Sequence, residues 1–221
     1  MKQLTHDNNF VYLCGALIAL LFSAALVQEF SGTWGEDIFT LTSMLMLVVS
    51  IKSVHTDMTW KKTVYVLLGF LFILSILAKV FAFAYSMYLN LIILLLFFAG
   101  SFWTAYKQIL FEGKVDTNKM IGSLSLYLLL GLMWTILYLI LIELDSQSFS
   151  GLESGSWKQN FSQVAYYSFV TLTTLGYGDI LPVNKVAQFF VYMEAVVGVF
   201  YMAIIVSSLI SLRLTSLEKK E

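Results

Sequence analysis

The sequence predicts an all-α membrane protein with six transmembrane helices and, between the fifth and sixth, a short re-entrant helix followed by an extended loop. Three observations carry that expectation. Of the 221 residues, 59% are hydrophobic and only 12% charged, whereas soluble domains carry about a quarter charged residues. The apolar residues gather into runs near the roughly 20 residues that a helix needs to cross a hydrocarbon core of about 30 Å. Between those runs the basic residues collect on alternate segments, as they do in cytoplasmic loops.

Taken in order, the runs span 10–27, 38–54, 63–84, 88–106, 121–142 and 186–212. The first follows Lys2 and contains Ser23, Ala24 and Ala25, so a cleaved secretory signal is an alternative to a first crossing. The third and fourth are separated on length, because 63–106 is far too long for one crossing, with Tyr85, Ser86 and Asn90 as modest breakers. The apolar stretch at 161–173 is too brief to span and is assigned to the re-entrant helix. Lys2, then Lys52, Lys61 and Lys62, then Lys107, Lys114 and Lys119, and finally Arg213, Lys219 and Lys220 fall on one side. Glu29, Glu36, Asp37, Glu143, Asp145, Glu153 and Asp179 fall on the other, against Lys158 and Lys185 alone. This asymmetry puts both termini in the cytoplasm and makes the chain a multi-pass protein of the plasma membrane.

Several function classes are disfavoured by what the chain lacks. A formal net charge of −1 gives no basic field, so no nucleic-acid partner is expected. Cys14 is the single cysteine, which rules out an intrachain disulfide. Neither a Gly-x-Gly-x-x-Gly nor a Gly-x-x-x-x-Gly-Lys pattern occurs, and His6 and His55 have no ligand-forming neighbours in sequence. Enzyme chemistry and a bound cofactor are not expected. The triplet Asn160-Phe161-Ser162 has the form of a glycosylation sequon and abuts a helix, and it receives no role.

The informative stretch is Thr171 to Pro182, TLTTLGYGDILP. Gly176 and Gly178 alternate with side-chain residues, and glycine takes positive φ without strain. If every second residue enters that mirror region, successive carbonyls point to one side. Four copies about an axis then form stacked rings of oxygens that replace a cation's hydration shell, and a chain carrying the stretch once implies a cyclic homotetramer. Non-helical backbone at membrane depth persists only where it is buried or lines water. Five extended residues reach at most about 16–18 Å, so the re-entrant helix has to cover the rest of the depth, its negative C-terminal end favouring a cation at mid-membrane.

Thr173 to Asp179, TTLGYGD, resembles the selectivity filter of tetrameric potassium channels, where TTVGYGD is common; Leu175 stands in place of valine. The resemblance covers 121–212 and implies a pore module like that of voltage-gated channels: outer helix, acidic Ser/Gly-rich turret, pore helix, filter and inner helix. It implies that the Thr174 hydroxyl and the carbonyls of Thr174, Leu175, Gly176 and Tyr177, with Gly178 completing the motif, hold dehydrated K+ as the permeant ion. The family's Trp-Trp cuff is replaced by Tyr166 and Tyr167, expected to brace Tyr177. Val170 occupies the position where some members place a glutamate, so Asp179 needs another partner. Glu194 is expected behind the filter in a supporting role. Gly198 falls where the family has a hinge glycine, with a helix contact as the alternative.

The chain thus divides into a four-helix block at 1–106, a cytoplasmic interfacial linker at 107–120, a pore domain at 121–212 and a cytoplasmic tail at 213–221. Tyr88 to Tyr106 contains no Lys or Arg, whereas steep voltage gating uses three to four charges per subunit, each worth about 2.3 kcal/mol per 100 mV. Lys79 lies near the outer interface, where it snorkels or pairs with a carboxylate. Voltage dependence is therefore expected to be weak or absent. The tail has no room for a cytoplasmic ligand-binding domain, and the lipid bilayer is the other expected partner.

Overall fold

The computed structural model describes residues 9–29, 86–111, 116–153 and 155–211, with a few positions between 41 and 70. The expected crossings at 38–54 and 63–84 and the residue Lys79 lie almost wholly outside the described residues. Four helices within them are long and apolar enough to span a membrane: Asn9–Leu26, Met87–Phe111, Thr117–Leu144 and Lys185–Ser211.

Helix α1 (Asn9–Glu29), helix α2 (Ser86–Phe111) and helix α3 (Thr117–Leu144) pack together, with α3 as the hub. Apolar residues at helical spacing make the contact: Leu13, Leu17 and Leu20 of α1, Leu91, Phe97 and Phe98 of α2, and Leu126, Leu129, Leu132 and Ile136 of α3 are fully buried. In lipid such contacts gain little hydrophobic free energy, because the tails are as apolar as leucine; close packing and hydrogen bonds hold the helices instead. The bonds are present. The Phe10 N–H donates to Asn118 Oδ1 at 3.1 Å, and the Tyr88 hydroxyl donates to the Glu143 carbonyl at 2.9 Å. The first run thus contributes Phe10, Leu13, Leu17 and Leu20 to the common core.

Two boundaries differ from those read from the sequence. Helix α2 runs on to Phe111, past the expected end at 106, because YKQILF continues the apolar periodicity and buries Ile109. Helix α3 begins at Thr117, where the Asp116 side chain accepts from the Lys119 N–H at 2.9 Å and caps the free end. Most of the expected linker is therefore helical.

After α3 come strand β1 (Phe149–Ser150), helix α4 (Trp157–Leu172), strand β2 (Leu181–Pro182) and helix α5 (Lys185–Phe200). Helix α4 starts from a capping box in which Ser156 and Gln159 satisfy each other's backbone N–H groups. Its 16 residues cover about 24 Å at 1.5 Å per residue, short of a crossing. It packs against α3, α1 and α5. The two strands pair antiparallel, Phe149 with Pro182 and Ser150 with Leu181. Helix α5 is capped by Asn184, whose Oδ1 accepts from the Ala187 N–H at 2.8 Å, and passes into a π-helical turn over Tyr201–Val206.

Candidate functional site

Helix α4 ends at Thr173, and the next backbone turns back onto it. The Thr174 N–H donates to the Thr171 carbonyl at 2.9 Å, and the N–H groups of Leu175 and Gly176 both donate to the Val170 carbonyl, at 2.9 and 3.2 Å. Carbonyls at a helix C-terminus lack intrahelical partners, so the loop satisfies them and is itself fixed. Beyond that point φ is positive at Thr174 (59°), Gly176 (57°) and Gly178 (80°). Every second residue is left-handed. The glycines adopt this freely, while Thr174 bears a cost of about 1–2 kcal/mol. The glycine spacing pointed to two of these positions; Thr174 carries no sequence mark of its conformation.

Thr173 to Asp179 are all exposed in the single chain, although buried residues flank them on both sides. The Tyr177 ring stacks on Tyr166, centroids 6.4 Å apart and planes 13° from parallel. The Tyr166 hydroxyl lies in hydrogen-bonding reach of the Asp179 carboxylate, which pushes that hydroxyl above the ordinary tyrosine range. Tyr167 goes elsewhere: it is buried with its ring 5.5 Å from Tyr138 and 5.6 Å from Phe149. The two tyrosines expected to act as a pair therefore divide, one facing Tyr177 and the other joining the core behind it.

Glu194 is fully buried. The Tyr138 hydroxyl of α3 donates to its Oε2, and Ser168 Oγ of α4 lies 2.6 Å from its Oε1 and 2.8 Å from the Gly131 carbonyl. Three helices meet at this carboxyl group. Ser168 has one proton and two oxygen neighbours, and since the Gly131 carbonyl also accepts from Thr135 Oγ1 at 2.8 Å, the serine is free to donate to the carboxyl group as Tyr138 does. Tyr138 and Ser168 were not singled out from the sequence, where a tyrosine and a serine inside apolar helices carry no signal.

Gly198 faces the end of α4. A Cβ built there would lie 2.0 Å from the Leu172 carbonyl oxygen, so only glycine lets the two helices approach this closely. Tyr127 donates to the same carbonyl at 3.2 Å, and its ring lies 5.2 Å from that of Tyr201, whose hydroxyl donates to the Ser123 carbonyl at 2.5 Å. The π turn begins at Tyr201. Ser207 and Ser208 beyond it are exposed.

On the β side, hydrogen bonds from the Gln147 N–H and the Asn184 side-chain amide hold the Asp145 carboxyl below the usual carboxylate range. Among the described residues, no group of three His, Cys, Asp or Glu is placed to hold a metal ion.

Residues 123–213 match the family model described as ion channel. No curated protein and no solved structure matches the chain. The matched segment starts within α3 and takes in α4, the left-handed stretch and α5. This part of an apolar, mostly helical chain is therefore similar to an ion-channel module.

Proposed function

We propose that the chain is the subunit of a potassium-selective channel in which four copies surround an axis and K+ passes down its gradient. The carrying observation is the recurrence of positive φ at Thr174, Gly176 and Gly178. A backbone that reverses at every second residue can aim the carbonyls of Thr174, Leu175, Gly176 and Tyr177 the same way, and four such lines form the oxygen cages that replace water around a dehydrated cation. In the homotetramer the exposed face of α5 and the π turn, with Phe189, Tyr192, Val196 and Met202, lines the pore or meets a neighbouring copy. Tyr166 and Asp179 brace Tyr177, Glu194 ties the pore helix to its neighbours, and the inner helix swings about the region of Gly198 and the π turn. The protein lies in the plasma membrane with both termini cytoplasmic, and its conductance depends at most weakly on voltage.

Flux through purified protein in liposomes tests this reading. With a K+ gradient the native chain gives flux that Na+ does not support. Gly176→Ala places a side chain on a left-handed residue and abolishes selective flux. Equal flux from native and variant protein would overturn the assignment.

A further inference from the structure

We propose that the segment Asp145–Gly151 is a positioning element for the far end of the filter, clamping it where the pore helix no longer reaches. The inference rests on the filter reading above. Backbone hydrogen bonds from the α4 side end at the Gly176 N–H; among the described residues the next backbone anchors are the β1–β2 pair and the Val183 N–H, which donates to the Ser148 carbonyl at 2.8 Å. Tyr177 to Ile180 thus hang between two supports, and the second support is built from the turret.

Three features of that support bear on the filter. Gly151 has φ +86°, and a Cβ there would lie 2.1 Å from the Asp179 carbonyl oxygen, so turret backbone rests directly on the residue that closes the TTLGYGD stretch. The Asn184 amide Nδ2 lies 2.9 Å from both Asp145 Oδ2 and Ser148 Oγ, while its Oδ1 caps α5. One side chain therefore joins the end of α3, the turret and the start of the inner helix. Phe149 then roots the strand in the core, its ring 5.3 Å from Tyr138 and 5.6 Å from Tyr167. Tyr167 belongs to the same helix that fixes the other end of the filter, so both ends are referred to one rigid body. With Tyr166 alone stacked on Tyr177 and Val170 offering no side-chain bond, the spacing of the outermost carbonyls is set by the turret.

The test separates the clamp from ordinary folding. Asn184→Asp keeps the oxygen that caps α5 but loses the amide protons and sets two carboxylates against each other. Combined with Asp145→Asn it regains a donor and an acceptor with their positions exchanged. Reversal potentials under mixed K+ and Na+ give the permeability ratio. The single variant is expected to lose K+ preference about tenfold, the scale of one charge-assisted hydrogen bond, and the double variant to recover most of it. Gly151→Ala, which pushes on the Asp179 carbonyl without touching Asn184, is expected to lower the preference as well. As a second measurement, the rise in melting temperature that K+ gives over Na+ shrinks in both single variants. Native selectivity and a native K+-dependent melting shift in Asn184→Asp and Gly151→Ala overturn the clamp. A native chain with no K+ preference overturns the filter reading and the clamp with it.

Discussion

At Glu194, a carboxyl group at membrane depth is kept by what surrounds it. Its described hydrogen-bond partners are the Tyr138 and Ser168 hydroxyls, and a buried carboxyl group at this depth depends on such partners. Glu194→Gln retains an acceptor for Tyr138 and a donor for Ser168 and is expected to melt near the native temperature. Glu194→Ala leaves both hydroxyls unpaired and costs about 1–3 kcal/mol, read as an earlier thermal transition of the purified protein. Equal damage from the two variants would show that a charge is required there. The glutamate was visible in the sequence and its partners were not, since Tyr138 and Ser168 lie 56 and 26 residues away and resemble any other side chain of an apolar helix.

The elements show the same division between local and distant information. The left-handed stretch was legible because glycine has a backbone preference of its own, and the apolar runs were legible because lipid imposes a minimum length. The end of α2 was misplaced. A polar-looking YKQ reads as an exit from the membrane, yet the helix continues and Lys107 lies 5.1 Å from the Trp103 ring, covering an aromatic face with its ammonium group. For the inner helix, sequence left Gly198 open between hinge and contact. A Cβ at position 198 would lie 2.0 Å from the Leu172 carbonyl oxygen, which places a close contact there, and the π turn three residues on offers a separate place to bend, since π turns interrupt regular helical bonding and often mark functional sites. Gly198→Ala is accordingly expected to lower the melting temperature, by the roughly 1–3 kcal/mol of an overpacked contact. A variant with native stability and altered open times alone would return the hinge role to the glycine.

Over the whole molecule, the described part of the first block does not stand apart from the pore module. Helices α1 and α2 bury their apolar faces on α3, and the α1 backbone is bonded to Asn118 and, at 3.4 Å, to Ser125. Helix α3 is in turn joined to α4 and α5 through the Glu194 set and to the start of α5 through the Asp145–Asn184 contact. By contrast α5 shares little surface with the rest of its own chain, and its apolar side chains, together with Leu175 and Tyr177, remain exposed. Part of that surface suits lipid; the filter stretch does not, because its backbone groups need either water or other copies. In the sequence the single occurrence of the motif is the reason to expect several copies, while the inner helix's exposed face became apparent only once its neighbours were in place.

The central claim is that peptide oxygens from four copies stand in for the water a K+ ion sheds. The most direct measurement is the reversal potential of purified protein in a planar bilayer with K+ on one side and an equal concentration of Na+ on the other. A reversal displaced far from zero, in the direction that opposes K+ efflux, is expected. A conducting protein that reverses at zero would contradict the claim.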